Sequence, residues 1–510
     1  MPHPDLGRRE WRDRRPLGAA SALLREPARP ARVRESPAAS VLAVGAVCIG
    51  SFLGQLDASI VTVALGEIRA DLGISVGLAT WVSLAYLVTL VASIAALGRL
   101  ADMAGRKLLS LYGFALFTLA SAGAALAPGV GILLACRVAQ ALGAAMLQAN
   151  SVALIATTVR PQRLTAALGA QGAAQAFGLS LGPLAGGLLL ELGGWRWIFW
   201  AHIPAGLLGL VLGVLLLPRT HQRAPRAPFD WPGLGLLVPA VSAVLLALSA
   251  AASLSGPVAA PAVAALVLVA VLCAVLFARR EARADHPMVD LAVVGCRGIG
   301  LRLLAGALSF LVLFGLLLTI PQHSEASALA VGLLLAVLPV SIGLAAPVAS
   351  TLVTRFGARA VTVGAMLCVA AGLLLLAAGG SGPAVGLPAL MLVGCGLGLF
   401  TPSNNAAIMS VVPAWQSGMA SGVVNMTRGL GTALGVSVSA LAYAAGGFRT
   451  TMVLLAVAGL VAAGLAASAG ASTSAPADAD AGAGPVARVV RRGRAGQRGP
   501  RQRENIRAAP

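Results

Sequence analysis

The chain has 510 residues, of which 58% are hydrophobic and only 11% charged, with a formal net charge of +19. A soluble chain of this length carries about 25% charged residues, so a string of ordinary globular domains is excluded. A nucleic-acid-binding surface is excluded too: nine of the 37 Lys and Arg fall in residues 1–40 and eight in residues 488–507, and no folded basic domain with polar readout groups accompanies them.

In chain order, a basic tail rich in Arg, Pro and Ala (1–40) precedes an apolar block at about 41–65. Further blocks follow near 80–98, 108–127, 132–157, 166–190 and 198–217, then a pair near 233–252 and 258–277. A polar stretch at 278–302 interrupts the pattern. Six more blocks lie near 303–320, 328–349, 359–378, 386–410, 419–443 and 450–469, and an Ala, Gly, Pro and Arg tail closes the chain at 470–510. Blocks of this length suit a bilayer core of about 30 Å, and helices are the spanning form that satisfies their backbone. The expected fold is therefore an all-α integral membrane protein of about fourteen transmembrane helices. The expected organisation is a six-helix half (41–217), two inserted helices (233–277), a cytoplasmic linker (278–302) and a second six-helix half (303–469). The tails, with little apolar surface to bury, are expected to be disordered.

Charge tests the count. With both tails in the cytoplasm, the inner loops hold fifteen basic residues and the outer loops three, Arg69, Arg196 and Arg449. This asymmetry obeys the positive-inside rule and predicts both termini on the cytoplasmic side. The basic tails are suited to touching anionic lipid. The six cysteines (Cys48, Cys136, Cys273, Cys296, Cys368, Cys395) are isolated and form no CxxC, so they read as small apolar residues. The five histidines show no metal spacing, and no nucleophile–base–acid grouping is visible.

An internal repeat is visible. Asn150 follows Gly143-Ala-Ala145, and Asn404, 254 residues on, follows Gly396-Leu-Gly398. Gly178-Leu-Ser-Leu-Gly182 resembles Gly431-Thr-Ala-Leu-Gly435 at an offset of 253. Two related halves of this kind place a small-molecule site near the midplane between them.

Seventeen of the eighteen acidic residues lie in tails, loops or span ends; the exception is Asp57, well inside the first span. A central Asp costs about 2.5–3.5 kcal/mol on insertion scales and needs a partner, a water-filled cavity or a proton. Arg137, early in the fourth span, needs a carboxylate, carbonyls or water, or else snorkels to an interface. Gln140 and Gln148 share its helix face. Asn425 and Arg428 are the counterpart in the second half, and with Gln140, Gln148, Gln171, Gln175, Asn404 and Asn405 they are the candidates for lining a substrate cavity; the alternative for Gln171, Gln175, Asn404 and Asn405 is a helix-to-helix hydrogen bond. Gly178, Gly182 and Gly186 recur every four residues beside Pro183 and Gly187, a face that admits close helix approach and a bend.

Together these motifs resemble the major facilitator superfamily, and within it the fourteen-span drug:proton antiporters, over roughly residues 45–468. Gly98-Arg-Leu-Ala-Asp102-Met-Ala-Gly105-Arg106-Lys107 is similar to the superfamily's loop signature, with Met103 in place of the usual Arg. The resemblance assigns Asp102 and Arg106 to conformational switching. Leu56-Asp57-Ala-Ser-Ile-Val-Thr-Val-Ala-Leu65 resembles the first-span signature. Arg137-Val-Ala-Gln140-Ala-Leu-Gly143 resembles the fourth-span motif linked to proton transfer, with Ala141 replacing a common Gly. Gly178 to Gly187 resembles the antiporter motif of the fifth span. Thr354-Arg355-Phe-Gly357-Ala-Arg359, the second-half copy of the loop, lacks its acid.

The resemblance implies a proton-coupled exporter of a small amphiphilic drug or natural product, monomeric and without a cofactor beyond the proton gradient. Asp57 and Arg137 would couple the proton, and the Asp57 carboxylate would attract a cationic substrate. The low aromatic content, 4%, predicts few stacking groups for flat molecules. Arg outnumbers Lys 36 to 1, which fits a high-GC bacterium and its inner membrane. A metabolite symporter or facilitator on the same fold remains a rival; a membrane-embedded enzyme or receptor would need catalytic clusters or an extramembrane domain that the chain does not show.

Overall fold

The computed structural model describes residues 26–220, 229–253, 259–284, 287, 289, 291–295, 297–323, 328–380 and 382–471. Residues 1–25, 472–510 and Cys296 lie outside the described residues, and with them most of both expected tails. Helices dominate, and no strand occurs among the described residues.

The spanning helices are α1 (Ala39–Leu72), α2 (Val76–Ala104), α3 (Arg106–Ala125), α4 (Val130–Thr158), α5 (Pro161–Gly193) and α6 (Trp195–Leu216). The inserted pair is α7 (Trp231–Ser253) and α8 (Ala259–Glu281). α9 (Arg297–His323) opens the second half, and α12 is Pro383–Met409. Two continuous helical stretches, Ala328–Gly379 and Ser417–Ala471, each break at one glycine, Gly357 (φ 80°) and Gly447 (φ 69°). A positive φ is open to glycine at little cost and strained for other residues, so each stretch is two spans: α10 (328–356), α11 (358–379), α13 (417–446) and α14 (448–471). With the breaks counted, fourteen spans result among the described residues, as the sequence predicts. Their outward faces stay apolar: on α8 Leu268, Val271 and Leu272 are all exposed, the condition of a helix facing lipid.

The repeat reappears as packing. A Cβ on Gly178 of α5 would lie 2.5 Å from the Phe52 carbonyl of α1, while one on Gly431 of α13 would collide with the Ala307 carbonyl of α9. Gly143 of α4 meets Phe117 of α3, and Gly396 of α12 meets Ala365 and Val369 of α11. The same helix pairs thus approach closely, through glycine, in both halves.

α7 fills the seam between the halves. Leu237, Val241 and Leu245, at spacing of four, share one buried cluster with Val91 and Ala92 of α2 and Val423 and Val424 of α13. Ser437 of α13 donates to the Leu248 carbonyl at 3.2 Å.

Part of the expected disordered tail is ordered in the structure. Glu26 is buried; its carboxylate accepts from the Thr220 backbone N–H (2.7 Å) and the Thr220 hydroxyl (2.8 Å). Arg29 Nε donates to the Leu216 carbonyl, and a turn of helix follows at Ala31–Arg34. Composition suggested disorder because it counts apolar residues; the segment is held instead by polar groups at the end of α6.

Candidate functional site

The sequence sets two charges inside the apolar bundle, and the fold joins them. Asp57, midway along α1, is fully buried, and Arg137 of α4 is 1% exposed. Arg137 Nη1 donates to both carboxylate oxygens of Asp57, at 2.8 and 2.7 Å, and to Gln140 Oε1 at 2.6 Å. Its Nε donates to the Val82 carbonyl of α2 at 3.0 Å. Gln140 Nε2 in turn donates to the Ser121 hydroxyl of α3 at 2.9 Å. Arg137 therefore pairs and does not snorkel. A buried pair of this kind holds only while each charge keeps its partner, since desolvation of either alone is heavily unfavourable.

Three further groups complete the enclosure, and the sequence reading missed all three. Tyr86 of α2 lies under the guanidinium, 4.4 Å from ring centroid to Cζ, and its hydroxyl donates to the Gly54 carbonyl at 3.1 Å. Phe199 of α6 lies on the guanidinium at 5.8 Å. His202 Nε2 stands 3.7 Å from Asp57 Oδ1. Aromatic and His side chains at helix interfaces are common enough that nothing in the sequence marks these three.

The glycine motif builds the wall behind Asp57. Cβ atoms on Gly182 and Gly186 would run into Ser59 and Ile60 of α1, whereas one on Gly187 would meet nothing within 4 Å. α5 bends by 42° between Leu179 and Leu184; the side chain of Pro183 lies outside the described residues. The motif's function in this structure is to bring α5 onto the helix that carries Asp57.

A cavity of about 430 Å³ lies between the halves. Gly54, Gln55, Ala58 and Thr62 of α1 form one wall, and Asn425, Arg428 and Thr432 of α13 face them. Gln148, Gln175, Leu245, Leu248, Phe310 and Phe314 close the remaining sides. Of the expected cavity residues, Gln148, Gln175, Asn425 and Arg428 are there. Gln140 belongs to the Asp57 network. Gln171 ties Ser51 to Ser151 across α1, α5 and α4. Asn404 is buried and donates to the Arg302 carbonyl, and Asn405 is buried away from the cavity. Gln171 and Asn404 are packing groups, because each bonds to a neighbouring helix of its own half. Gln55, which the sequence reading passed over, lines the cavity as the residue two before Asp57. Asp57 itself faces the other way, into the first half. Its carboxylate is engaged by Arg137, so the expected attraction for a cationic substrate has no exposed carboxylate behind it in this arrangement.

At the end of the bundle carrying the α2–α3 turn, the halves are in contact. Asp102 Oδ1 accepts from Arg106 Nε (3.1 Å) and Nη2 (2.6 Å) and from the Gly418 N–H (2.9 Å). Its Oδ2 accepts from the Met419 N–H at 2.8 Å. Those N–H groups are orphan donors of the first turn of α13, where a carboxylate is favoured by the helix dipole. Arg106 Nη2 also reaches the Ala414 carbonyl at 2.6 Å. Gly98 packs directly on the Gly418 carbonyl, and Gly422 on that of Ile94. Lys107 turns back to α6, capping the Val214 and Leu217 carbonyls at 2.7 and 2.8 Å. The second-half loop, Arg355 to Arg359, makes no such lock among the described residues.

Two six-helix halves with a cavity at their interface, a sealed end and a buried charge pair on one flank define a membrane transporter for small molecules. The model of the Major Facilitator Superfamily matches residues 47–278 and 299–498. The chain belongs to that superfamily. It is 35% identical over 405 residues to the puromycin resistance protein pur8 of Streptomyces alboniger, covering 77% of this chain and 79% of the relative. It is 29% identical over 402 residues to the riboflavin transporter RibZ of Clostridioides difficile, covering 77% and 85%. Among solved structures, that of the human organic anion transporter MFSD10 superposes with a TM-score of 0.60 at 17% identity, covering 85% of this chain and 100% of that one; this likeness shows the fold alone.

Proposed function

We propose that the protein is a proton-coupled antiporter that exports a small amphiphilic drug or natural product across the bacterial cytoplasmic membrane, as a monomer and with no cofactor beyond the proton gradient. The observation that carries this reading is the sealed Asp57–Arg137 pair on α1, the helix whose opposite face, through Gln55 and Ala58, is a wall of the cavity. Relatives named as drug-resistance proteins support the substrate class.

Protonation of Asp57 removes the negative partner of Arg137, whose guanidinium keeps Val82 and Gln140. α1 is then free to shift, and the shift is felt at the cavity wall two residues away. The opposite step, loss of the proton, restores the pair. A carboxyl that alternates between two surroundings in this way takes up a proton on one side and releases it on the other.

Fifteen inner against three outer basic loop residues, counted with both termini in the cytoplasm, support that orientation. The domain plan follows: halves at 41–217 and 303–469, inserted helices at 233–277, a cytoplasmic linker at 278–302, and basic cytoplasmic tails at either end. In that orientation the Asp102 lock lies on the cytoplasmic side, and the arrangement described is closed to the cytoplasm. Asp102, Arg106 and Gly98 are the switch that must part for the inward-facing state.

The test uses inverted membrane vesicles with an acid interior and a panel of cationic, neutral and anionic amphiphiles. Gradient-driven uptake of at least one probe is the expected result. Probe uptake coupled to proton entry in right-side-out vesicles, with none in inverted ones, would reverse the assigned direction.

A further inference from the structure

Arg428 is buried to within 7% of full enclosure, yet it lines the cavity. No carboxylate pairs with it among the described residues. Its polar contact is Asn425 Oδ1, at 3.3 Å from Nη1, and its guanidinium lies 5.1 Å over the Phe310 ring. The contrast with Arg137 is direct: one arginine has a carboxylate and no access to the cavity, the other has the cavity and no carboxylate. Arg428 is the one formally charged side chain among the described residues lining the cavity. An uncompensated guanidinium in apolar walls repels a cation and gains strongly from an anion, because the attraction there is little screened.

Phe310 and Phe314 stack at 6.4 Å with an interplanar angle of 21°, beside the same guanidinium. Two of the chain's twelve Phe therefore stand where a flat ring would lie. A volume of about 430 Å³ suits a drug-sized molecule.

Resting on the transporter reading above, we propose that the cavity is built for an acidic aromatic amphiphile, with the acid group on Arg428 and the ring against Phe310 and Phe314. The preferred substrate is thus an organic anion or a zwitterion bound through its acid end, and not the cation that the buried Asp57 suggests. Export of such a molecule and selection for it are separable: the first needs Asp57, the second Arg428.

The test compares three probes on one ring system, 1-pyrenebutyrate, its primary amide and 1-pyrenebutylamine. Binding to the purified full chain in nanodiscs is measured by equilibrium dialysis against empty nanodiscs at pH 7.5. No gradient is present, so failure of proton coupling leaves this measurement readable, and failure here leaves proton-driven export standing. The wild type is expected to bind the carboxylate at least about tenfold more tightly than the amine. Arg428→Gln is expected to bring that ratio near one, with the amide unchanged. Arg428→Lys should keep the preference for the carboxylate. If Arg428→Gln does not fold, Thr432→Asp decides: it sets a carboxylate one turn from Arg428 on the same helix face and should cancel or reverse the preference. Equal or tighter binding of the amine by the wild type overturns the proposal. So does a carboxylate preference that survives in folded Arg428→Gln or Thr432→Asp.

Discussion

A buried charge acts through what it faces, and Asp57 and Arg137 face each other. Replacing Arg137 by Ala leaves a buried carboxylate without its cation, a change that costs about 3–5 kcal/mol in comparable pairs. The expected result is a sharp fall in the thermal-unfolding midpoint of the purified protein. Asp57→Asn with Arg137→Gln removes both charges, and most of that loss should return; a double variant as unstable as Arg137→Ala alone would mean the site depends on the arginine's contacts with Val82 and Gln140, not on charge. The two charged residues were legible in the sequence because an ionised group in an apolar block has no bland explanation. Tyr86 and His202 were not, since an interfacial Tyr or His in a helix is ordinary packing. Gln140 was assigned to the cavity because it shares a face with Gln148, yet two turns of helix separate the pair network from the cavity, and only the fold shows which lies where.

At the scale of the element, helix contacts depend on glycine at particular turns. Gly182→Val should displace α5 from Ser59 and Ile60 and cost about 1–3 kcal/mol through overpacking. Gly187→Val, five residues on and on another face of the helix, meets open space and should leave the unfolding midpoint unchanged. Equal effects from the two would contradict the close approach of α5 to α1. The Asp102 lock predicts a shift in population. Asp102→Asn weakens the carboxylate's hold on the α13 N-terminus, an interaction of about 1–2 kcal/mol when buried. Spin labels at Arg163→Cys and Thr351→Cys, in a chain lacking its native cysteines, should report a larger inward-open fraction by electron–electron distance measurement. An unchanged distance distribution would remove Asp102 from the switch. The helices themselves were legible, and so were the two breaks: each falls at a short loop between apolar blocks, where the helical ladder runs on as far as a single glycine. The seating of α7 was not legible, because Leu237, Val241 and Leu245 look like any lipid-facing aliphatic residues until α2 and α13 close round them.

For the whole molecule, the structure describes two halves pressed together at one end by the Asp102 lock, with the cavity between them and the inserted helix sealing the seam. The polar strap at Glu26 joins that lock through Thr220, whose hydroxyl accepts from the Arg106 backbone N–H at 2.9 Å. Glu26→Ala should speed limited trypsin cleavage at Arg32, which is exposed and followed by Val33, several-fold with little effect on the bundle's unfolding midpoint, since local opening is governed by local contacts. Cleavage at the wild-type rate would mean the strap is held by something other than Glu26. Composition assigned this segment to a tail because polar capping leaves no hydropathy signal.

The central claim is that Asp57 links proton movement to transport while lying outside the cavity. Reconstituted vesicles test it most directly, with one transported probe followed in two modes: accumulation driven by a pH gradient, and exchange against unlabelled probe with no gradient. The account predicts that Asp57→Asn abolishes accumulation and leaves exchange within a few-fold of the wild type. Normal accumulation by Asp57→Asn would contradict it.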